Sequence, residues 1–400
     1  MIRRLLGRPE VAVILSLAAQ AGSAMVLALV SARWLGPSDR GIVVISTVLG
    51  SLLMLVGSLG TPTGGRVLVA REDGERMSVG DVIASTRVLL VAHVATAAVV
   101  GALVFFLVEG RLSGGVLALF VVYAVLMLAA YIRRELLHGL GLHRQAVNGE
   151  VVTALCQLAL TVAAYAAGIL NVWTSMVALI VGVAVQVGRQ HALMREHRGG
   201  SGAQRRRLIA FSAPALGTTV GQAFTLRGDR LILGAMIGSA AAGIYGSAAS
   251  LSEALTLVGA GVGQVLFRRS TSGASRQSIL KPMMGIAALT ALGAMVLIVA
   301  APWVVGVALG DAYASAVTPL RLLCLATVPL AAYQVAVAGL NGSGRLGAAS
   351  RVTLSGAVVL ILACVVLVPL AGTNGAAWAS CGAYCVMAAG AFFSLPKAVR

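Results

Sequence analysis

Charged residues are scarce in this sequence of 400 residues. Asp, Glu, Lys and Arg together make up 11% of it, whereas hydrophobic residues make up 59%. Soluble domains typically contain about 25% charged residues. Apolar runs of about 20 residues recur along the whole length, which is the span that crosses a hydrocarbon core of about 30 Å. The composition excludes an ordinary soluble protein and predicts a polytopic membrane protein.

Lysine is nearly absent, and this excludes one class of transporter. Lys281 is followed by proline and Lys397 is preceded by proline, so neither belongs to the Gly-Lys-Ser/Thr sequence of a phosphate-binding Walker A loop. The stretch GSGRLG (342–347) lies in a short connector between apolar runs, outside the strand–turn–helix context of a dinucleotide fingerprint. We therefore expect no ATP-driven step within the chain and no cofactor.

Clusters of metal-ligating or catalytic residues are also missing from the sequence. The five cysteines fall inside apolar helices without nearby His or acidic residues, as is typical of small buried hydrophobic side chains. His93, inside the third predicted helix, is either a structural histidine or a proton relay. We expect no metal site and no catalytic residue, and we predict that the protein is not an enzyme.

The positive charges that are present indicate a topology. The net charge is +17, and 23 of the 30 Lys and Arg residues lie in connectors on the same side as the N-terminus. The opposite connectors hold three, Arg33, Arg40 and Arg111. This bias predicts cytoplasmic termini, and it favours membrane lipids over nucleic acid as the partner of the positive charge. The twelve predicted helices cover residues 11–33, 41–62, 82–108, 115–132, 151–168, 175–193, 209–237, 243–266, 282–302, 319–340, 352–370 and 376–394.

The halves of the chain resemble each other. LGPSDRGI (35–42) matches IGSAAAGI (237–244) at an offset of 202, and AGILNVW (167–173) matches AGTNGAAW (371–378) at about 204. We predict an N-terminal six-helix bundle (1–194), a basic, flexible cytoplasmic linker (195–208) and a C-terminal six-helix bundle (209–400). Since six is even, the bundles are expected to be related by a pseudo-two-fold axis along the membrane normal.

The stretch TLRGDRLIL places three charges inside the seventh predicted helix. A charge within a spanning helix costs about 2.5–3.5 kcal/mol and normally faces a cavity or a partner. Arg227 and Arg230 are three residues apart and share a helical face, and Asp229 flanks Arg230. The hairpin turn is predicted near Ala240, thirteen residues from both Arg227 and Glu253, so these charges are expected near the bilayer midplane.

Two interpretations of these charges remain open. They are either buried ion pairs that hold the seventh helix to the eighth, or a site where Arg227 and Arg230 bind an anionic group in transit. Arginine suits a phosphate group because its planar guanidinium donates two parallel hydrogen bonds. Gln222, on the same helix, adds a neutral donor in the second interpretation.

Four stretches of the sequence carry a family resemblance. They are ARWLGPSDRGI (32–42), GDRLILGAMIGSAAAGIYGSAASL (228–251), ALGDAYASAVTPLRLLCL (308–325) and VPLAGTNGAAWAS (368–380). They resemble the first hairpin, the seventh and eighth helices, and the later connectors of the polysaccharide flippases of the MOP superfamily. These are the Wzx-type flippases of O-antigen and exopolysaccharide, relatives of MATE exporters and lipid II flippases.

The resemblance implies a function and a set of cavity residues. The function is export of an undecaprenyl-pyrophosphate-linked oligosaccharide across the cytoplasmic (inner) membrane by alternating access, for cell-surface polysaccharide synthesis. The cavity lies between the halves, along helices 1, 2, 7 and 8. Its substrate-binding residues are expected to be Arg227, Arg230, Gln222, Gln20, Ser23 and Ser46, with Asp229 and Glu253 in charge tuning or ion coupling. We expect a functional monomer in contact with other polysaccharide-assembly membrane proteins.

Two other functions compete with this interpretation. A MATE-type ion-coupled antiporter of drugs or metabolites needs a cavity dominated by acidic residues, whereas the excess here is cationic. A membrane glycosyltransferase or ligase usually needs a sizeable extramembrane loop or an Asp-x-Asp-like site, and the sequence has neither. The glycan, the carrier lipid and the coupling ion have no signature in the sequence.

Overall fold

The computed structural model describes residues 9–71, 76–110, 113–197, 200–256, 262, 276–343 and 345–395, which are almost entirely helical. Three short 3-10 helices cover Arg195–His197, Ala254–Thr256 and Asp311–Ala316. Within these ranges the α-helices are α1 (Pro9–Gly57), α2 (Thr61–Ala70), α3 (Val79–Glu109), α4 (Gly114–Gly139), α5 (His143–Ala166), α6 (Val172–Leu193), α7 (Arg205–Ile237), α8 (Ser239–Glu253), α9 (Arg276–Ala308), α10 (Val317–Gly342) and α11 (Leu346–Ser394).

Two of these helices are each made of two passes. Helices α1 and α11 are 49 residues long, more than twice the length that spans a bilayer. Each is interrupted at one glycine with non-helical dihedral angles, Gly36 in α1 and Gly372 in α11. When the second part of α1 and the short helix α2 that follows it are counted as one pass, division at these glycines gives twelve helical passes in the described chain, six on each side of the connector that begins at Arg195. The protein is therefore an all-α integral membrane protein with two six-helix halves, as predicted.

Length and composition identify eight of the described helical segments as able to cross a membrane. Helices α7 and α8 are not among them. Helix α7 carries the charged stretch, and α8 is only 15 residues long. Prolines at 282, 302, 329 and 369 lie inside membrane helices, where neighbouring groups can satisfy the backbone atoms that proline frees.

The glycines of the matched connectors share an unusual backbone conformation. Gly36 and Gly238, which the offset of 202 pairs, have dihedral angles φ and ψ of 75° and 169°, and of 108° and 175°. Gly168 and Gly372 also pair, with φ of 68° and 57°. Glycine is the residue that adopts positive φ without steric cost, so the backbone explains why glycine stands at each of these positions. The domain boundaries stay a prediction.

Several residues assigned to connectors belong to helices instead. The second predicted helix ends at residue 62, but the chain continues into α2 after a short break at Ser58–Gly60, so Arg66 is helical. Helix α4 extends to Gly139 and includes Arg133 and Arg134. The sequence misplaces these ends because arginine at a membrane boundary does not stop a helix, and only the apolar part of a helix has a hydropathy signal.

The predicted linker is partly packed against a helix. Ser201 donates its backbone N–H to Asp81 Oδ1 at 3.1 Å, and Ser78 caps the same end of α3 by accepting from the Asp81 N–H. Gly200 lies so close to the backbone of Gly80 that a β-carbon would clash with it. Residues 200 and 201 are therefore held at the start of α3.

Contacts divide the chain into two compact units. The first contains the described residues up to Leu27 and Ser46–Val220, and the second contains Ala28–Ile45 and the described residues from Gly221 onward. Leu128, Leu136 and Met77 are fully buried in a core of the first unit, and Tyr245 and Tyr333 in the core of the second.

In the second unit, the hairpin of α1 packs tightly on the α7–α8 hairpin. A β-carbon at Gly41 would clash with the Ser239 carbonyl, and a β-carbon at Gly243 would clash with the Pro37 carbonyl. The offset of 202 pairs Gly41 with Gly243 and Pro37 with Ser239, so the two contacts are equivalent. Two small residues thus let the two hairpins meet backbone to backbone.

Candidate functional site

The charged stretch lies on α7, which turns into α8 at Gly238. The prediction placed this turn near Ala240, two residues further along the chain. Arg230 lies eight residues before Gly238, and its guanidinium pairs with Glu253, at the end of α8. The prediction gave Arg227 and Glu253 equal distances from the turn and named no partner for Glu253; in the structure that partner is Arg230.

Asp229 is buried, with 2% of its surface exposed, and its carboxylate is surrounded by hydrogen-bond donors. Oδ2 accepts from the Tyr245 hydroxyl at 2.6 Å and from the Ser380 hydroxyl at 2.9 Å, and Oδ1 accepts from the Arg230 backbone N–H at 2.8 Å. Hydrogen bonds to a carboxylate are stronger than those between neutral groups. Three donors therefore hold this carboxylate in place and compensate for much of the water that it lost.

Arg230 and Glu253 form an ion pair between a buried and a half-exposed group. The Arg230 side chain is 9% exposed and that of Glu253 is 45% exposed. One nitrogen of Arg230, Nε, is buried without a hydrogen-bond partner among the described residues. The guanidinium is thus anchored by one end and retains an unused donor at the other.

Arg227 is exposed, in contrast to Arg230. It forms no hydrogen bond or ion pair with any residue that the structure describes. Its charge acts on Tyr384, on which the charges of Asp229, Arg230 and Glu253 also act. Arg227 is therefore the exposed member of the charged stretch, without a partner among the described residues.

A small cavity adjoins the buried charges inside the second unit. The cavity has a volume of about 20 Å³, which is enough for a bound water molecule. It holds no sugar. Polar lining residues are Asp229, Arg230, Ser252, Glu253, Thr327 and Tyr384, and Thr256 lies beside them.

The remaining predicted residues lie apart from this cluster or outside the description. Gln222 is half-buried on α7, two turns before Asp229. Ser23 is half-buried and Ser46 is fully buried in the first unit, and each has an interaction of its own. Gln20 lies on α1, and its side chain is outside the described residues.

Sequence reasoning missed three polar residues of the second unit. Tyr245 and Ser380 bind Asp229, and Tyr245 lies about as far after Gly238 as Asp229 lies before it, which is a signal that depth counting could have used. Ser380 comes from the last helix, and no sequence spacing links it to α7. Arg40, predicted in an outer connector, is buried in the second pass of α1 with 8% of its surface exposed.

A second charged cluster lies in the first unit, at the ends of α2, α4 and α5. Glu135 accepts from Arg66 at 3.3 Å and from Arg134 at 3.0 Å, and Arg134 also pairs with Glu150. Arg134 stacks on the Tyr131 ring at 5.1 Å. Both acids and both arginines find partners within the cluster, which makes it a structural network.

Metal-ligating groups do not come together in the part of the chain that the structure describes. No set of three His, Cys, Asp or Glu residues there is arranged to hold a metal ion. All five cysteines are free, and Cys324 and Cys364 are buried. His93 is buried in α3, and neither ring nitrogen has a hydrogen-bond partner among the described residues.

The chain is similar to known membrane transport proteins. It matches the model of the polysaccharide biosynthesis protein family over residues 10–268. No curated protein matches it at a significant level. The fold resembles that of the lipid II flippase MurJ in an inward closed conformation, with a TM-score of 0.81 at 10% identity, over 95% of this chain and 86% of that one.

Two further solved structures have similar folds. One is an inward-facing multidrug resistance MATE family transporter of the MOP superfamily, with a TM-score of 0.75 at 14% identity, over 95% of this chain and 96% of that one. The other is a MOP superfamily transporter from Pyrococcus furiosus whose binding pocket is described as having reverse polarity. Its TM-score is 0.59 at 14% identity, over 97% of this chain and 96% of that one. At these identities the likeness concerns the fold.

Proposed function

Since the chain belongs to the polysaccharide biosynthesis protein family, we propose that it is a flippase. Its substrate is an oligosaccharide linked through pyrophosphate to a polyprenyl lipid such as undecaprenol. The protein moves this molecule across the cytoplasmic membrane by alternating access, for the synthesis of cell-surface polysaccharide. Both termini are cytoplasmic in this proposal, and the protein works as a monomer among membrane lipids and other assembly proteins.

One observation carries the proposal: the charge left available near the charged stretch is positive. Asp229 is occupied by three donors, and Glu253 is paired with Arg230. Arg227, the exposed member, has no such partner among the described residues. An exposed guanidinium inside a membrane helix favours an anionic group, and its fork of donors fits a phosphate.

The proposal is tested by removing both arginines of the stretch. We expect the variant Arg227→Ala/Arg230→Ala to insert normally, since Glu253 is half-exposed and can be solvated when its partner is lost. Translocation of a polyprenyl-pyrophosphate-linked oligosaccharide in proteoliposomes should fall to the level of empty vesicles. The matched control is Arg144→Ala/Arg321→Ala. It removes two exposed arginines outside the charged stretch, one in the first turn of α5 and one on α10.

Normal translocation by the Arg227→Ala/Arg230→Ala variant at equal protein level would make the charges structural and would overturn the proposal. The competing antiporter function predicts a different result. A MATE-type protein would export a cationic dye against a proton or sodium gradient, and the loss of two arginines would not reduce that export.

The energy source follows from the same charges. The chain carries no Walker A loop, so the driving force is an ion gradient, the membrane potential or a downstream reaction. Moving one charge through 100 mV is worth about 2.3 kcal/mol, and an anionic headgroup that leaves an inside-negative cell moves down this potential. We favour the membrane potential, with Asp229 and Glu253 weakening the positive charge enough for the substrate to leave.

A further inference from the structure

A group of unsatisfied polar atoms lies in the second unit, and the transport proposal does not use it. Arg40 is 8% exposed, Arg230 7%, Ser247 1% and Tyr313 0%. Among the described residues, no hydrogen-bond partner exists for Nε of either arginine or for the hydroxyls of Ser247 and Tyr313. Folded proteins leave few buried polar atoms unpaired, and each one needs an explanation.

These four residues come from four separate segments and meet in one region. Arg40 is close enough to Tyr313 and to Arg230 for their charges to interact. The Tyr313 hydroxyl lies beside the Ser247 hydroxyl, without a well-formed hydrogen bond between them. These interactions link Arg40 to Arg230 and Tyr313, and Tyr313 to Ser247, so the four residues belong to one region of the second unit.

Their depth in the membrane is also similar. Arg40 lies four residues after Gly36, while Arg230 lies eight residues before Gly238 and Ser247 nine residues after it. With a rise of 1.5 Å per residue, these positions are about 6–14 Å from the ends of their hairpins. The group therefore lies between the hairpin ends and Glu253, on the side opposite to the predicted cytoplasmic connectors.

The position of Arg40 is fixed by tight packing. Val44, one helical turn after Arg40, packs on Gly246, and the neighbouring Ile45 packs on Gly234. Ser247 directly follows Gly246. Arg40 therefore stays beside α8, and its burial does not depend on a mobile side chain or loop.

The charge of Arg40 has no counter-ion in the described chain. No described acidic residue pairs with it, and the charge of Arg230 repels it. Burial of an unpaired ion costs several kcal/mol, and an arginine does not escape this cost by losing its proton. Asp229 and Glu253, the acids of this region, are already engaged. The arrangement lacks one anion.

We propose that Arg40, Arg230, Ser247 and Tyr313 form an anion-binding subsite for an oxyanion, a phosphate or a carboxylate. Each of the four residues supplies a hydrogen-bond donor that the protein leaves unused, and the Arg40 guanidinium supplies a charge that no described acidic residue balances. An oxyanion has enough lone pairs to accept from all four. The subsite deepens the proposed function and rests on it only for the molecule that carries the anion: the headgroup would pass from Arg227 to Arg40 on its way outward.

The subsite is tested by phosphate binding to the full-length protein in phosphatidylcholine nanodiscs, measured by calorimetry at constant ionic strength. We expect saturable binding of inorganic phosphate to the wild type. Loss of a charge-assisted hydrogen bond should weaken this binding about tenfold or more in Arg40→Gln. Arg321→Gln is the matched control, because Arg321 is exposed on another helix of the same unit, and it should keep the wild-type affinity.

Two further variants separate binding from folding. Ser247→Ala and Tyr313→Phe each remove an unpaired buried hydroxyl, so without phosphate both proteins should be at least as stable to heat as the wild type. With phosphate, each should bind about two- to tenfold more weakly, because one donor is lost. A purely structural role would give the reverse pattern, with lower stability and unchanged affinity.

The source of the anion is identified by competition. Phosphatidylglycerol in the nanodisc displaces phosphate if the subsite holds a lipid headgroup, and a polyprenyl pyrophosphate displaces it if the subsite holds the carrier. Displacement by neither identifies free phosphate as the ligand. Absence of saturable binding of phosphate and of pyrophosphate to the wild type, or unchanged binding in Arg40→Gln, would overturn the subsite. Because this assay involves no transport, its failure is distinct from failure of the flippase proposal.

Discussion

The two charged clusters of this molecule differ in how completely they are satisfied. In the first unit, Glu135 binds two arginines, and one of these also binds Glu150. In the second unit, Asp229 is fully occupied, but Arg40 has no counter-ion and Arg227 no partner among the described residues. Charges that neutralise each other stabilise a fold, whereas a buried charge without a counter-ion, such as that of Arg40, indicates a ligand.

The first cluster provides the largest expected effect on stability. Glu135→Ala leaves Arg66 and Arg134 without their shared acid, and removal of one partner from a buried pair costs about 3–5 kcal/mol. Since the side chain of Arg66 is 46% exposed, we expect less, about 2–3 kcal/mol. The measurement is the unfolding temperature of the purified protein, followed through the reaction of its buried cysteines with a thiol dye.

Glu109→Ala is the control for this prediction, because Glu109 is exposed at the end of α3. It should unfold at the wild-type temperature. Flux per folded molecule should be unchanged in Glu135→Ala. A specific loss of transport at wild-type stability would show that the first cluster is functional and would remove the contrast between the two clusters.

An effect of similar or smaller size is expected where a neutral group supports the second cluster. Tyr245→Phe removes one of the three donors to Asp229, and a hydrogen bond to a charged group contributes about 1.5–3 kcal/mol. Tyr333→Phe is a matched control in the same unit, because the Tyr333 hydroxyl is also fully buried and bonds the neutral Thr353 hydroxyl at 2.8 Å. Its loss should cost about 1 kcal/mol.

The unfolding temperatures of these two tyrosine variants decide whether Asp229 is ionised. A larger drop for Tyr245→Phe means that Asp229 is ionised and stabilised by its donors. Equal drops would mean that Asp229 is already neutral, and the potential-driven scheme would then lose one of its two tuning charges.

Hydropathy and glycine patterns predicted the fold well, while side-chain partners could be predicted only in part. The twelve passes could be predicted from the lengths of the apolar runs. The matched connectors could be predicted from glycines such as Gly36 and Gly238, because their positive φ angles favour a residue without a side chain. The turn between α7 and α8 was predicted two residues too late, at Ala240 instead of Gly238, and spacing from that turn did not identify Arg230 as the partner of Glu253.

Contacts between distant helices have no signal in a single sequence. Ser380 lies 151 residues after Asp229, and serine is common in membrane helices for many reasons. Arg40 was assigned to a connector because charge lowers hydropathy, and hydropathy does not distinguish an exposed arginine from a buried one. Whether a buried polar group lacks hydrogen-bond partners depends on which residues of other helices surround it. The anion subsite could therefore not have been predicted from sequence spacing.

The smallest effect on stability is expected from Asp229→Asn, and this variant tests the energy source. An asparagine oxygen in the place of Oδ1 can still accept from the Arg230 N–H, and its amide nitrogen in the place of Oδ2 can donate to the Tyr245 or Ser380 hydroxyl, so we expect a loss of about 1 kcal/mol. Substrate flux is then measured in vesicles in which the membrane potential and the proton and sodium gradients are set independently. If the potential drives transport, wild-type flux follows the potential at zero gradient. Asp229→Asn keeps this dependence but releases the substrate more slowly, because the arginines are less neutralised.

The competing scheme makes Asp229 or Glu253 an ion site, with Glu253→Gln as the parallel variant. Three donors around one carboxylate leave little room for a cation, which favours the potential. Wild-type flux that follows a proton or sodium gradient at zero potential, and a loss of that dependence in either variant, would establish ion coupling instead.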